Sequence, residues 1–167
     1  PVDFTKGTVA VSHQIKGWSG FPLRDWLHDI TGLPVMMEND ANTAALAEAL
    51  RGAGRGFNPA FYMNMGSGGG GGLVLDGKIY HGDVPGEVEV GHLRLDIDGT
   101  TVEDRCSGWA VDRAIRAATA DAPDSSLAQL IRGTQGCEAI HLAAPLRQSD
   151  PNAQTILEPL TRELPLE

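Results

Sequence analysis

An acidic segment, Glu38-Asn39-Asp40-Ala41-Asn42, lies where two differently patterned stretches of the sequence meet. The apolar residues 34–38 predict a short buried strand, and the alanine-rich residues 41–52 predict a helix that Asn39 or Asp40 would cap. A carboxylate at this junction stands at the C-terminal edge of a sheet and beside a helix N-terminus, which favours its ionised form. An ionised Asp40 can take the proton from a hydroxyl group that attacks phosphorus. Taken alone, the pattern is explained more simply by N-capping.

A run of glycines, Gly66–Gly72, is interrupted only by Ser67 and follows an apolar stretch, 60–65, that predicts a strand. Behind the run, LVLDGKIY predicts a hairpin that turns at Asp76-Gly77. Glycine lets the backbone approach phosphate oxygens and aim N–H groups at them, and the Ser67 hydroxyl adds a donor. The alternative is a flexible linker, but strands on both sides favour phosphate binding. The run enters a strand and no Gly-Lys-Ser/Thr follows, which excludes a Walker A loop and a dinucleotide-binding fingerprint.

A third cluster combines Glu87, Glu89 and His92 within PGEVEVGHLRL. Carboxylates and an imidazole at this spacing can bind hydroxyl groups or a metal ion. An ordinary solvated surface explains them equally well. The weak alternation over residues 88–95 predicts a strand.

The elements that must position these clusters are predicted from the spacing of apolar residues. Helices are expected over residues 21–32, 109–119, 125–132, 138–146 and 152–163. Together with the strands, they give the order strand, helix, strand, hairpin and then helices, which predicts an α/β fold.

Composition excludes several classes of protein. The formal net charge of −9 argues against a nucleic-acid surface on this segment, because phosphate contacts need clustered Lys and Arg. The two cysteines are too few for a disulfide framework, which indicates a reducing compartment. No apolar run approaches the roughly 18 to 20 residues that span a bilayer. We therefore expect a cytoplasmic protein without membrane contact.

The order and spacing of these motifs resemble the ROK family (repressor, open reading frame, kinase), and its glucokinase-like members in particular. GWSGFPLRDWL is similar to the family's helix entry, ENDANTAALAE to its NDANAAALAE segment, GSGGGGGLVLDGKIYHG to its glycine loop and VEVGHLRLD to its GEIGH segment. The resemblance runs from residue 1 to about residue 120. It implies an α/β fold of the actin-like, ribonuclease H-like ATPase type. Residues 1–53 would complete the small sugar-binding domain, and residues 54–167 would begin the larger domain.

The resemblance also implies roles for individual residues. Asp40 would be the catalytic base that activates a hexose hydroxyl for attack on ATP, with Mg²⁺ as the metal. The sugar would be bound by Asn39, Glu89, His92 and Glu103. The ATP phosphates would be bound by Gly66, Ser67, Gly68 and Gly70. A homodimer is expected, as in the family.

Two departures from the family pattern change these expectations. The stretch between His92 and Glu103 lacks the family's Cys-x-Cys-Gly-x-x-Gly-Cys loop, so no zinc is expected and no residue is assigned as a metal ligand. The family's Asp-x-Gly-Gly-Thr phosphate motif would precede Pro1, and its last glycine motif would follow Glu167. The chain is therefore expected to be truncated at both ends and weakly active or inactive alone. The alternatives to a hexose kinase are the sugar-sensing core of a ROK repressor and a truncated, non-catalytic remnant.

Overall fold

The computed structural model describes residues 2–12, 15–82 and 88–164. The chain divides into two compact units, one formed by Pro1–Tyr62 with Gly72–Val88 and the other by Met63–Gly71 with Glu89–Glu167. The proposed assignment of residues 1–53 and 54–167 to two domains of a larger protein stays a prediction. Among the described residues, no helix is both long and apolar enough to cross a membrane.

The first unit begins with two short antiparallel strands, β1 (Val2–Asp3) and β2 (Thr8–Val9), followed by helix α1 (Leu23–Thr31). Helix α1 ends at Gly32, which adopts a left-handed conformation with φ of 66°. That conformation favours glycine and stops the helix as the sequence predicts. Helix α2 (Asp40–Arg51) confirms the predicted second helix.

The predicted strand over residues 34–38 is wrong. The described structure leaves this stretch without regular secondary structure. A strand needs a neighbour to pair with, and within the described residues none pairs with this stretch. Pro34 also has no N–H to donate to a ladder.

A three-stranded sheet in the order β3-β4-β5 contains β3 (Ala60–Met65), β4 (Gly69–Leu75) and β5 (Lys78–Ile79). Strands β4 and β5 are antiparallel and turn at Asp76-Gly77, where both residues have positive φ, 50° and 73°. The predicted hairpin is confirmed. The glycine run is predicted to be a loop over its whole length. In the structure, its residues from Gly69 onward belong to β4 instead.

Glycine at position 72 allows α2 to lie directly on β4. A Cβ atom built on Gly72 would be 2.6 Å from the Cβ of Ala45 and 3.1 Å from the carbonyl oxygen of Ala41. Both alanines are buried in the helix. The close packing fixes the helix that begins with Asp40.

The second unit is mainly helical. Its elements are a 3₁₀ helix (Val90–His92), α3 (Val102–Cys106), α4 (Gly108–Asp121), α5 (Ser126–Leu130), a second 3₁₀ helix (Glu138–Leu142), α6 (Ala143–Arg147) and α7 (Pro151–Glu163). Its core is formed by apolar side chains of these helices: Val111, Ile115, Leu127, Leu142, Ala153 and Ile156. The helices predicted in this half of the sequence are confirmed, with a 3₁₀ helix in place of the first turns of the one predicted over residues 138–146.

The predicted strand over residues 88–95 is wrong, because its centre forms the first 3₁₀ helix. Val90 and Gly91 are buried, and a Cβ atom on Gly91 would be 2.7 Å from the carbonyl oxygen of Gly69. The segment is therefore held by close backbone packing. Among the described residues, this segment forms one isolated β-bridge, between Arg94 and Thr101.

Candidate functional site

The N-terminus of α2 presents Asp40 to solvent. Asn39 precedes the helix in an extended conformation, and its side-chain oxygen accepts from the backbone N–H groups of Ala41 (2.8 Å) and Asn42 (3.2 Å). Asn39 is thus the N-cap. Asp40 is exposed, and its Oδ1 accepts at 3.0 Å from the backbone N–H of Ala41. Because Asn39 already accepts from two N–H groups of the first turn, the N-cap does not require an aspartate at position 40.

A half-buried carboxylate, Glu38, accepts from the backbone before Asp40 and from a side chain after it. Its Oε1 accepts from the backbone N–H of Asn39 (2.8 Å) and from the side-chain amide of Asn42 (3.1 Å). Its Oε2 is 2.7 Å from Nε2 of His81, which follows strand β5. Partial burial by itself raises the pKa of Glu38, but the hydrogen bonds from Asn39, Asn42 and His81 outweigh it and lower the pKa below its usual value.

Sequence reasoning placed Glu38 and Asn42 within the acidic segment but gave neither a role, and it missed His81. His81 lies just after strand β5 and 43 positions from Glu38 in the sequence. A histidine after an edge strand carries no local signal of its partner. The predicted hairpin is the sequence signal that could have located His81, because it determines which residues follow β5.

The turn between β3 and β4 is a fixed structure rather than a flexible linker. The N–H of Gly66 donates to the carbonyl oxygen of Gly68 at 2.9 Å. The carbonyl oxygens of Gly66 and Ser67 accept from the first residues of α4, Gly108 (2.7 Å) and Trp109 (3.2 Å). Gly70, also predicted to bind phosphate, lies within β4.

Glu103 joins the glycine turn to the first 3₁₀ helix within the second unit. Its Oε2 accepts from the backbone N–H of Gly69 at 3.0 Å. Cβ atoms on Gly68 and Gly91 would lie 2.6 Å and 3.2 Å from the same oxygen. A side chain at position 68 would displace the carboxylate from this place, and one at position 91 would crowd it.

Glu89 and His92 lie at the two ends of the first 3₁₀ helix, and both are exposed. Glu87 lies outside the described residues. Among the residues that the structure does describe, no three His, Cys, Asp or Glu side chains are grouped so as to hold a metal ion. The absence of zinc stays a prediction.

The predicted site residues fall into both units. Asn39 and Asp40 belong to the first unit. The second unit contains the remaining predicted residues: Gly66, Ser67, Gly68, Gly70, Glu89, His92 and Glu103. Within the second unit, the structure brings Glu103 against the glycine turn and against the segment that carries Glu89 and His92.

The known proteins that this chain resembles include glucokinases and a ROK family transcriptional regulator. A glucokinase of Streptomyces coelicolor is 31% identical over 156 residues, which cover 87% of this chain and 49% of that protein. The crystal structure of a ROK family glucokinase from Streptomyces griseus in complex with glucose and AMPPNP superposes with a TM-score of 0.77 and 32% identity, covering 96% of this chain and 55% of that chain. A ROK family transcriptional regulator, homologous to the E. coli MLC protein, gives a TM-score of 0.73 at 25% identity, covering 96% and 41%.

The chain spans about half the length of the curated relatives that it matches along most of its sequence. The ROK family itself is matched over residues 1–165. Both the predicted resemblance and the predicted fold class are confirmed. The chain belongs to the ROK family, and its α/β structure is part of the actin-like ATPase fold of that family's sugar kinases.

Proposed function

We propose that this chain is the part of an ATP-dependent hexose kinase that activates the sugar hydroxyl and binds nucleotide phosphate. Glucose is the first candidate substrate, since relatives over most of the chain are glucokinases. The observation that carries the proposal is the exposed carboxylate of Asp40 at the N-terminus of α2, where Asn39 performs the capping. The glucose and AMPPNP bound to the Streptomyces griseus relative support the pair of substrates.

In the proposed reaction, Asp40 accepts the proton of the sugar hydroxyl while the hydroxyl oxygen attacks the terminal phosphorus of ATP. The bond from this phosphorus to the bridging oxygen breaks, and ADP leaves. The side-chain nitrogen of Asn39 donates to a neighbouring sugar hydroxyl, because its oxygen is used in the cap. Glu89, His92 and Glu103 supply further hydroxyl contacts. Mg²⁺ bound to the nucleotide would neutralise charge on the transferred phosphate.

The glycine turn fits a phosphate group. Among the described residues of the second unit, the N–H groups of Ser67 and Gly68 donate to no acceptor. Gly66 and Ser67 are exposed, and no atom lies within 4 Å of the position that a Cβ on Gly66 would take. Unpaired N–H groups beside open space are suited to phosphate oxygens.

The proposal is tested on the full-length protein with ATP and a panel of hexoses, comparing the unaltered protein with Asp40→Asn. Removing the base is expected to lower kcat about 10²- to 10⁴-fold, while calorimetry shows sugar binding retained. Asp29→Asn, an equivalent change at an exposed residue of α1, is the control and should leave kcat unchanged. An Asp40→Asn protein with normal kcat would refute the role of Asp40.

A sugar-sensing repressor is the second candidate, because the ROK regulator superposes over 96% of the chain. Such a protein would bind hexose through the same proposed residues without turnover. Selective sugar binding by calorimetry together with no phosphorylated product at saturating ATP would favour the sensor. Measurable turnover would exclude it.

Glu103 offers a second test, because it contacts the glycine turn directly. Glutamine at position 103 can still accept from the N–H of Gly69 through its carbonyl oxygen, whereas alanine cannot. Glu103→Gln should therefore raise the KM for sugar with little change in the KM for ATP. Glu103→Ala should raise both. Equal effects of the two variants on ATP would contradict the role of this contact.

A further inference from the structure

The carboxylate of Glu38 is hydrogen-bonded to three groups, two of which belong to residues close to Asp40 in the sequence. Its oxygen Oε1 binds the backbone N–H of Asn39 and the side-chain amide of Asn42, and its Oε2 contacts His81. One acidic side chain thus holds both Asn39, immediately before Asp40, and Asn42, two positions after it. The exposed fraction of the Glu38 side chain is only 21%.

His81 anchors this carboxylate from a different part of the first unit. An ionised carboxylate can only accept hydrogen bonds, so Nε2 of His81 carries the proton and donates to Glu38. The imidazole ring also packs on Phe4, with ring centroids 4.5 Å apart and an interplanar angle of 37°. Phe4 directly follows β1, so the histidine, which itself follows β5, also packs against the end of a separate strand.

This arrangement fixes the start of α2 more tightly than a helix cap requires. Asn39 already satisfies the N–H groups of Ala41 and Asn42. The bonds from Glu38 add constraints on the backbone of Asn39 and on the side chain of Asn42. Asp40 lies between these two fixed residues, so the direction of its carboxylate depends on them. A general base must be held within hydrogen-bond reach of the proton it removes.

We propose that Glu38 and His81 are positioning residues of the phosphoryl transfer, which hold the first turn of α2 so that Asp40 faces the attacking hydroxyl. The inference rests on the proposed function, since it assigns the pair a role in that reaction. The pair touches neither sugar nor ATP in this role. Its loss should therefore lower kcat while the KM for sugar changes little.

Two substitutions of His81 separate its hydrogen bond from its ring packing. His81→Phe keeps an aromatic ring against Phe4 and removes the donor, whereas His81→Gln removes the ring and keeps an amide N–H near the position of Nε2. We expect His81→Phe to lower kcat of the full-length protein about 10- to 100-fold, because small displacements of a catalytic group have effects of this size. His81→Gln should recover most of the loss. His28→Phe, the same change at an exposed histidine of α1 in the same unit, should leave kcat unchanged.

Glu38→Gln completes a double-mutant cycle. Glutamine still offers a carbonyl oxygen to Asn39 and Asn42 but loses the charge-assisted bond to His81. If the two residues act as a pair, Glu38→Gln combined with His81→Phe should lower kcat no further than the stronger single variant does.

The outcomes separate the inference from the function on which it rests. No hexose phosphorylation by the unaltered protein would overturn the proposed function and with it the inference. An active protein whose His81→Phe variant keeps kcat within about 2-fold would overturn the inference alone. A purely structural role is shown instead if His81→Gln fails to restore kcat, or if the KM for sugar rises as much as kcat falls.

Discussion

Alanine at position 72 is expected to force α2 away from β4. A Cβ atom at Gly72 would be 2.6 Å from the Cβ of Ala45, and 3.1 Å from both the carbonyl oxygen of Ala41 and the Cα of Asn42. Carbon atoms in good contact are about 3.5–4.0 Å apart, so the helix would have to retreat by about 1 Å. Two of the three neighbouring atoms are backbone, which cannot move without moving the helix.

The expected loss in the free energy of unfolding can be taken from the typical effect of overpacking in other proteins. Inserting a methyl group into a well-packed site typically costs about 1–3 kcal/mol. The lower entropy of an unfolded chain with alanine instead of glycine returns about 0.4–1 kcal/mol. A net loss of about 1–2 kcal/mol should lower Tm by about 2–8 °C in a protein of this size class, as measured by thermal unfolding. Because the displaced helix begins with Asp40, kcat should fall as well.

Two companion variants make the test specific. Gly66→Ala introduces the same methyl group where no atom lies within 4 Å, so its Tm should stay close to that of the unaltered protein. Ala45→Gly removes the nearest atom of the predicted clash, so it should recover part of the Tm lost in Gly72→Ala, although it costs about 1 kcal/mol alone. The reasoning is refuted if Gly72→Ala melts with the unaltered protein, or if Gly66→Ala loses as much.

Two further predictions concern the second unit. The hydrogen bond from Arg116 holds the pKa of Glu138 below its ordinary value of 4.5, so this ion pair stabilises the fold above that pH and is lost as pH falls through the lowered pKa. Glu138→Gln should therefore show a smaller drop in Tm than the unaltered protein between about pH 5 and pH 3, and an equal drop would contradict the assignment. Burial raises the pKa of the Cys106 thiol, whereas Cys137 is exposed. A thiol reagent should modify Cys137 in the folded protein and reach Cys106 only on unfolding, and rapid labelling of both would refute this.

The features that sequence predicted best are those with a local physical cause. The cap at Asn39 depends on a side chain that reaches N–H groups two and three residues on. The hairpin at Asp76-Gly77 depends on two residues that accept positive φ. Both are decided within a few residues, so neither requires knowledge of the rest of the fold.

The failures arise where distant packing decides. Residues 88–95 have the composition of a strand, yet Gly91 lies so close to the backbone of Gly69 that the segment forms a 3₁₀ helix. The glycine run predicts a phosphate-binding loop between two strands, because glycine lets the backbone approach phosphate oxygens. It enters β4 because only glycine lets the helix above it approach at position 72. Local propensity is weaker than such contacts.

The acidic residues of the candidate site also combine features that the sequence predicts with features that only the structure shows. Motif resemblance assigns chemistry to Asp40 and Glu103, but it cannot say which carboxylates are already used to hold the backbone. Glu38 and Glu103 each accept from the N–H of a residue in a segment with proposed chemistry, Asn39 in one case and Gly69 in the other. A carboxylate used in this way has fewer lone pairs left for a substrate, because an ionised carboxylate offers about four acceptor sites in all. Both oxygens of Glu38 are engaged, since Oε1 accepts two hydrogen bonds and Oε2 meets His81. The exposed Asp40 accepts one hydrogen bond, at Oδ1 from the N–H of Ala41. This difference is the physical reason to assign the base to Asp40 and support to Glu38.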